Sequence, residues 1–297
     1  QPFVLQQASS GAPREIPLFI VGEGYTAEEI VSGQYMNDMR EQMEHLFSCE
    51  PYKTYRNYFT VSTAIACSPE HGVDGRTRFD SGIDTYNWVF YTNQERVWEY
   101  AEQHASAIDG GSHGRTLVMM LMNTPQLPNT VQLDDDGYAL AMLGKSTDTY
   151  PFSQHELVLR DVGGRAFGHL ATEATNHFTF LKACTCPGCR GWEEYSRGKQ
   201  HGWYENVSLS GKMNDAPWSH LIFHHAYSAY VDMYEGGYNH ARGTYRSENM
   251  SVMGNVPIPY FNAISRESIV RRIKQYAGET FTFDDFVAKD KIEIPEE

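Results

Sequence analysis

Two stretches of this chain are apolar at almost every position: Ile16-Pro-Leu-Phe-Ile-Val21 and Thr116-Leu-Val-Met-Met-Leu-Met122. A strand with one wet face alternates apolar and polar residues, so a strand without alternation needs cover on both faces. Neither run approaches the ~18 apolar residues of a membrane span. The first is closed by the turn Gly22-Glu23-Gly24. Thr26 then offers an N-cap with Glu28 and Glu29 behind it, and Met36, Met39, Met43 and Phe47 mark one buried helical face. Tyr58 to Ala66 is rich in β-branched and aromatic residues and reads as a strand, and Gln94 to Ala107 reads as a helix. Tyr138 to Leu143 is a further strand. Strands alternate with helices, which predicts an α/β layer fold.

A chain of 297 residues suits one large domain, here 15–297, with 1–14 as a tail or linker. It begins at Gln1-Pro2 with no charged-then-apolar leader, and reads as already trimmed. Its 24 Lys and Arg against 38 Asp and Glu give a net charge of −14, which repels phosphate backbones and argues against a nucleic-acid partner. In the second half, Ser153 to Phe167 has helical period, and 185–217 is polar with little periodicity. Trp218 to Met233 shows helical spacing, and Ser265 to Ala277 reads as a helix capped by Ser265 and stopped by Gly278. Thr282 starts a last short helix. Three of the five cysteines cluster as Cys184-Thr-Cys186-Pro-Gly-Cys189, a disulfide loop, free thiols or half of a metal site that His177 or His201 could complete.

The densest signal is Arg160-Asp-Val-Gly-Gly-Arg165-Ala-Phe-Gly-His169-Leu-Ala-Thr-Glu173. Glycine inside a helix costs about 1 kcal/mol relative to alanine, so the pair Gly163-Gly164 needs a reason. A close backbone approach is one, and a π-bulge, a feature common at functional sites, is another. The segment resembles the zinc motif of the bacterial IgA-peptidase family of metallopeptidases, His-Glu-x-Gly-Gly-His-x-Phe-Gly-x-Leu-x-Asp-Glu, in its version with one extra residue between the histidines. Gly163, Gly164, Phe167, Gly168, Leu170 and Glu173 match. Gly22-Glu-Gly-Tyr25, Glu50-Pro-Tyr-Lys-Thr-Tyr-Arg-Asn-Tyr58, Trp218-Ser-His220, Tyr234-Glu-Gly-Gly237, Gly243-Thr-Tyr-Arg246 and Phe261 to Ile269 look like the family's other blocks, in order. Val252-Met253 looks like its Met-bearing turn, although Asn249-Met250 departs from the usual Met-Asn order.

The resemblance implies a zincin-like α/β (α+β) fold, a mixed twisted sheet with helices and an active-site helix at about 153–168. It also implies a secreted or cell-surface peptidase using zinc. The departures fall where the chemistry belongs. Arg160 and Arg165 replace the metal histidines, Asp161 replaces the general-base glutamate, and Thr172 replaces the aspartate beside Glu173. Arginine has no lone pair to give and stays protonated. The primary expectation is a scaffold without zinc, in which Asp161 and Glu173 neutralise the two arginines and the old cleft binds peptide, protein or glycan. Tyr245, Arg246 and His169 are candidate binding residues there. A working zinc endopeptidase with other ligands stays open, for example with His169, Glu173 and His177 on one helix face. A structural module of a surface protein also stays open.

Overall fold

The protein, a computed structural model, is described over residues 2–185 and 191–294. In chain order the first half forms β1 (Pro2–Gln6), β2 (Ile16–Glu23), α1 (Ala27–Val31), α2 (Gln34–Phe47) and β3 (Phe59–Ala64). A hairpin of β4 (Gly82–Asp84) and β5 (Val89–Tyr91) follows, then α3 (Gln94–His104), β6 (Leu117–Met122), β7 (Thr130–Leu133) and β8 (Ala139–Leu143). The main sheet runs β1-β3-β2-β6-β8-β7. Its four inner strands are parallel, and β1 and β7 are antiparallel edges.

The unbroken apolar runs become central strands for the reason anticipated. Leu18, Ile20, Leu117, Met119 and Leu121 point to one face, under α2. Phe19, Val21, Val118, Met120 and Met122 point to the other, where Val97, Tyr100 and Ala101 of α3 cover them. With both faces apolar, pattern alone does not fix strand register. Glu23, buried at the end of β2, supplies the missing constraint. Its carboxylate accepts hydrogen bonds from the Arg78 amide (2.8 Å), the Phe79 amide (2.9 Å), Ser68 Oγ (2.9 Å) and Ser81 Oγ (3.1 Å). A one-residue slip would strand that carboxylate among apolar atoms, at a cost of several kcal/mol. Burial still outweighs these donors and raises its pKa.

The second half carries α4 (Gln154–Leu157), continued by a π-helix (Val158–Phe167), then β9 (His177–Phe180), α5 (Gly191–Gln200), β10 (Val207–Ser208) and α6 (Ser219–Ile222). It ends with β11 (Tyr234–Gly237), β12 (His240–Arg246), α7 (Ala263–Ala277) and α8 (Phe283–Lys289). A smaller sheet joins β10, β12 and β11, with β9 parallel to β12. The π-helix and α7 pack on the α2 face of the main sheet. Among the described residues, no helix is long and apolar enough to cross a membrane.

Four expectations change. Residues 2–6 are an edge strand paired with β3 (Phe3 opposite Thr63), where a tail was expected. Trp218 to Met233 is helical only through Ile222. It continues as successive turns, because Tyr227 and its neighbours follow contacts with α8, including Tyr227 Oη to Asp290 at 3.0 Å. The stretch 185–217, read as irregular, contains α5, whose acidic first turn and basic last turn suit the helix dipole. The cap of α7 is Asn262, one turn ahead of Ser265, its side chain accepting from the Ser265 amide at 3.1 Å.

Candidate functional site

The site is built on the helix that starts at Ser153. A capping box holds the start, with Ser153 and Glu156 each satisfying the other's amide. The helix then widens to π geometry over Val158–Phe167. The Gly168 amide reaches back five residues to the Gly163 carbonyl at 2.9 Å. The glycine pair also permits a close backbone approach. A Cβ on Gly163 would lie 2.9 Å from the Tyr52 ring, and one on Gly164 would overlap Met253 Sδ. Tyr52 Oη donates to the Gly163 carbonyl at 2.6 Å. The wide helix therefore sits flush on Tyr52, Met253 and Phe261, with its other side turned to the cleft.

That side carries Arg160, Asp161 and Arg165. Asp161 is 2% exposed, Arg160 20% and Arg165 40%. The Asp161 carboxylate accepts from Arg165 Nη1 at 3.2 Å, Arg160 Nη2 at 3.4 Å and Asn129 Nδ2 at 3.3 Å. Asn129 is oriented in turn by the Gly144 amide, which donates to its Oδ1 at 3.0 Å. Burial is the largest influence on Asp161 and alone would raise its pKa, but the two guanidiniums together outweigh it and hold it below the usual aspartate range. Arg160 also lies over the Phe152 ring, 4.5 Å from its centroid.

This cluster lines a cleft of about 1490 Å³. The edge strand β7 lines it through Val131, Gln132 and Leu133, with Asn129 just before it, and Trp192, Trp203, Tyr204 and Tyr238 add aromatic surface. Gln132 Oε1 is buried without a hydrogen-bond partner among the described residues. Thr172 lines the cleft too, its Oγ1 donating to the Met253 carbonyl at 3.3 Å. Two arginines and a threonine offer poor donors for a divalent cation: the guanidiniums have no free lone pair and carry like charge. The residues at these positions do not fit zinc.

Other sequence candidates lie elsewhere. Glu173 does not neutralise the arginines. It is buried against Asn206 Nδ2 (2.9 Å) and Asn262 Nδ2 (2.8 Å to Oε1), and burial pushes its pKa up to about 7. His169 adopts φ 50° and lines a separate cavity of about 190 Å³ against Trp203, with its pKa driven well down, chiefly by burial. Tyr245 and Arg246 lie on β12 and do not line the main cleft. Arg246 bonds the carbonyls of Glu235 and Gly236, at 2.9 and 3.1 Å. No helix runs from His169 through Glu173 to His177, so the three do not share a helix face. Cys186 and Cys189 lie outside the described residues. Asn129 carries no signal in the sequence, and although Asn262 falls in the Phe261 to Ile269 block, no spacing links it or Asn206 to Glu173.

No curated protein matches the chain. The family model described as IgA Peptidase M64 matches residues 4–127, the stretch from β1 to the loop after β6, and this match ends before the π-helix. Over that stretch, which holds β2, β3 and β6 of the main sheet, the chain is similar to the IgA peptidases.

Proposed function

We propose that this protein is a non-catalytic relative of the IgA peptidases that holds an extended polypeptide in the cleft beside its π-helix. One observation carries the reading. The positions where the family resemblance places two metal histidines and a general base hold an Arg160–Asp161–Arg165 ion-pair cluster, closed on itself at 3.2 and 3.4 Å. Asp161 gives its lone pairs to guanidinium and amide donors, which leaves it unsuited to take a proton from water. The edge strand β7, which lines the cleft, offers backbone groups for strand addition. The family resemblance also carries the location, outside the cytoplasm.

The test is metal analysis of purified protein together with an unfolded-casein digestion in the presence of added zinc. Zinc far below stoichiometry and no chelator-sensitive cleavage are expected. Stoichiometric zinc, or cleavage abolished by chelator, would overturn the reading.

A further inference from the structure

We propose that the cleft selects polypeptides bearing an acidic side chain, and that Arg165, assisted by Arg160, receives that carboxylate. This rests on the polypeptide-binding reading and adds what the bound chain must carry. At the cleft floor two guanidiniums share a single carboxylate, which leaves one positive charge unbalanced in a protein whose net charge is −14. Among the described residues, Arg165 makes one hydrogen bond, to Asp161. A guanidinium has five N–H donors in a planar fork, so most of those on Arg165 are unused. At 40% exposure it faces the cleft without being stripped of water, and binding a carboxylate there needs no rearrangement of the ion pair behind it. Asp161 positions the fork, because it is itself fixed by Asn129.

The other charged groups lining the cleft do not cancel this. Among the described residues, Lys182, Arg197, Glu193 and Glu194 also line it, two of each sign. Lys182 sits over Trp192 at 5.6 Å, and Arg197 is 3.9 Å from exposed Asp135. Among the described residues, Asp161 is the one carboxylate that pairs with Arg160 or Arg165. Asn129 sits just before Thr130, the first residue of β7, and touches Asp161, so the cations lie at that end of the edge strand. A strand added to β7 passes them with one side chain within reach, and an aspartate or glutamate at that place can take a forked, charge-assisted pair.

The test compares a labelled alternating Thr–Glu peptide with its uncharged Thr–Gln counterpart by fluorescence anisotropy, on wild type, Arg165→Gln and Arg165→Lys. Wild type is expected to bind the acidic peptide about tenfold more tightly. The gap should close in Arg165→Gln, narrow in Arg165→Lys, which keeps the charge and loses the fork, and shrink with added salt. Equal affinity of wild type for the two peptides overturns the selectivity and leaves polypeptide binding standing. An undiminished gap in a folded Arg165→Gln removes Arg165 from the role. If neither peptide binds, or only an oligouronate does, the polypeptide reading itself fails.

Discussion

Glu173→Gln is the substitution whose outcome can be worked furthest from the structure. Glu173 follows Thr172 at the cleft wall and is tied to Asn206 and to Asn262, the cap of α7. Burial is the dominant influence on it, and the two asparagine donors offset that only in part, leaving its pKa at about 7 against an ordinary 4.5. A folded-state pKa above the unfolded one means that the native state holds the proton more tightly. The resulting stability is fully present below about pH 4.5 and is lost as pH rises through about 7. A shift of this size corresponds to at most about 3 kcal/mol, at 1.36 kcal/mol per unit.

Glutamine stays neutral throughout, so the variant escapes that loss. Its Oε1 can still accept from both asparagines, while its amide nitrogen meets Asn262 Nδ2 where Oε2 stood. That is a donor–donor contact costing about 1 kcal/mol at every pH. The diagnostic is therefore the change in the difference with pH and not its absolute value. Urea unfolding between about pH 5 and pH 8 should show the variant gaining on wild type by about 2–3 kcal/mol as pH rises. Glu248, whose pKa burial also raises to about 7, is unchanged between the two proteins and drops out of the comparison. Parallel stability curves across the range would refute the claim that Glu173 is buried in this clamp.

Other perturbations test the remaining parts of the site. Asp161→Ala leaves two guanidiniums facing each other and is expected to cost about 3 kcal/mol by denaturant unfolding, since it breaks a buried ion cluster. Gly164→Ala forces a methyl group into Met253 and should cost about 1–3 kcal/mol. Adding Met253→Ala should make the double mutant more stable than the sum of the single effects, as a thermodynamic cycle would read. Arg160→His, Asp161→Glu, Arg165→His and Thr172→Asp together restore the family's motif and are expected to confer stoichiometric zinc uptake, measured by metal analysis; a folded variant that takes up none would mean that the register is wrong.

The sequence is most readable where one physical constraint dominates. Leu18 to Val21 and Leu117 to Met122 have no polar residue to place in water, so a doubly covered strand follows from composition alone. Gly163-Gly164 is legible because only a missing side chain admits Tyr52 and Met253 so close. Legibility fails where the deciding contact is remote. Pro2–Gln6 is half-exposed and becomes a strand only because β3 offers a free edge. Trp218 to Met233 has helical spacing, but its ring stacking and its bonds to α8 and to Ser247 set a chain of turns. Charge alone makes Glu173 a partner for arginine, yet Asn206 and Asn262, 33 and 89 positions away, occupy its oxygens.

If Arg160 and Arg165 stand where the family resemblance places two metal histidines, charge couples the two positions. An arginine at 165 alone would place a cation beside any metal held at 160, and an arginine at 160 alone would do the reverse, so the two replacements are compatible only once no ion is bound. The buried carboxylate of Asp161 then needs cations within hydrogen-bond reach, and it finds them on both sides, at i−1 in Arg160 and i+4 in Arg165. One carboxylate satisfies two arginines only in part. With Thr172 neutral and Glu173 turned away toward two asparagines, no second anion among the described residues closes the cluster. The remaining positive charge faces a cleft bounded by an open strand edge. On the proposed reading, a peptide seated in that groove meets a guanidinium fork at the place where the family resemblance puts an ion.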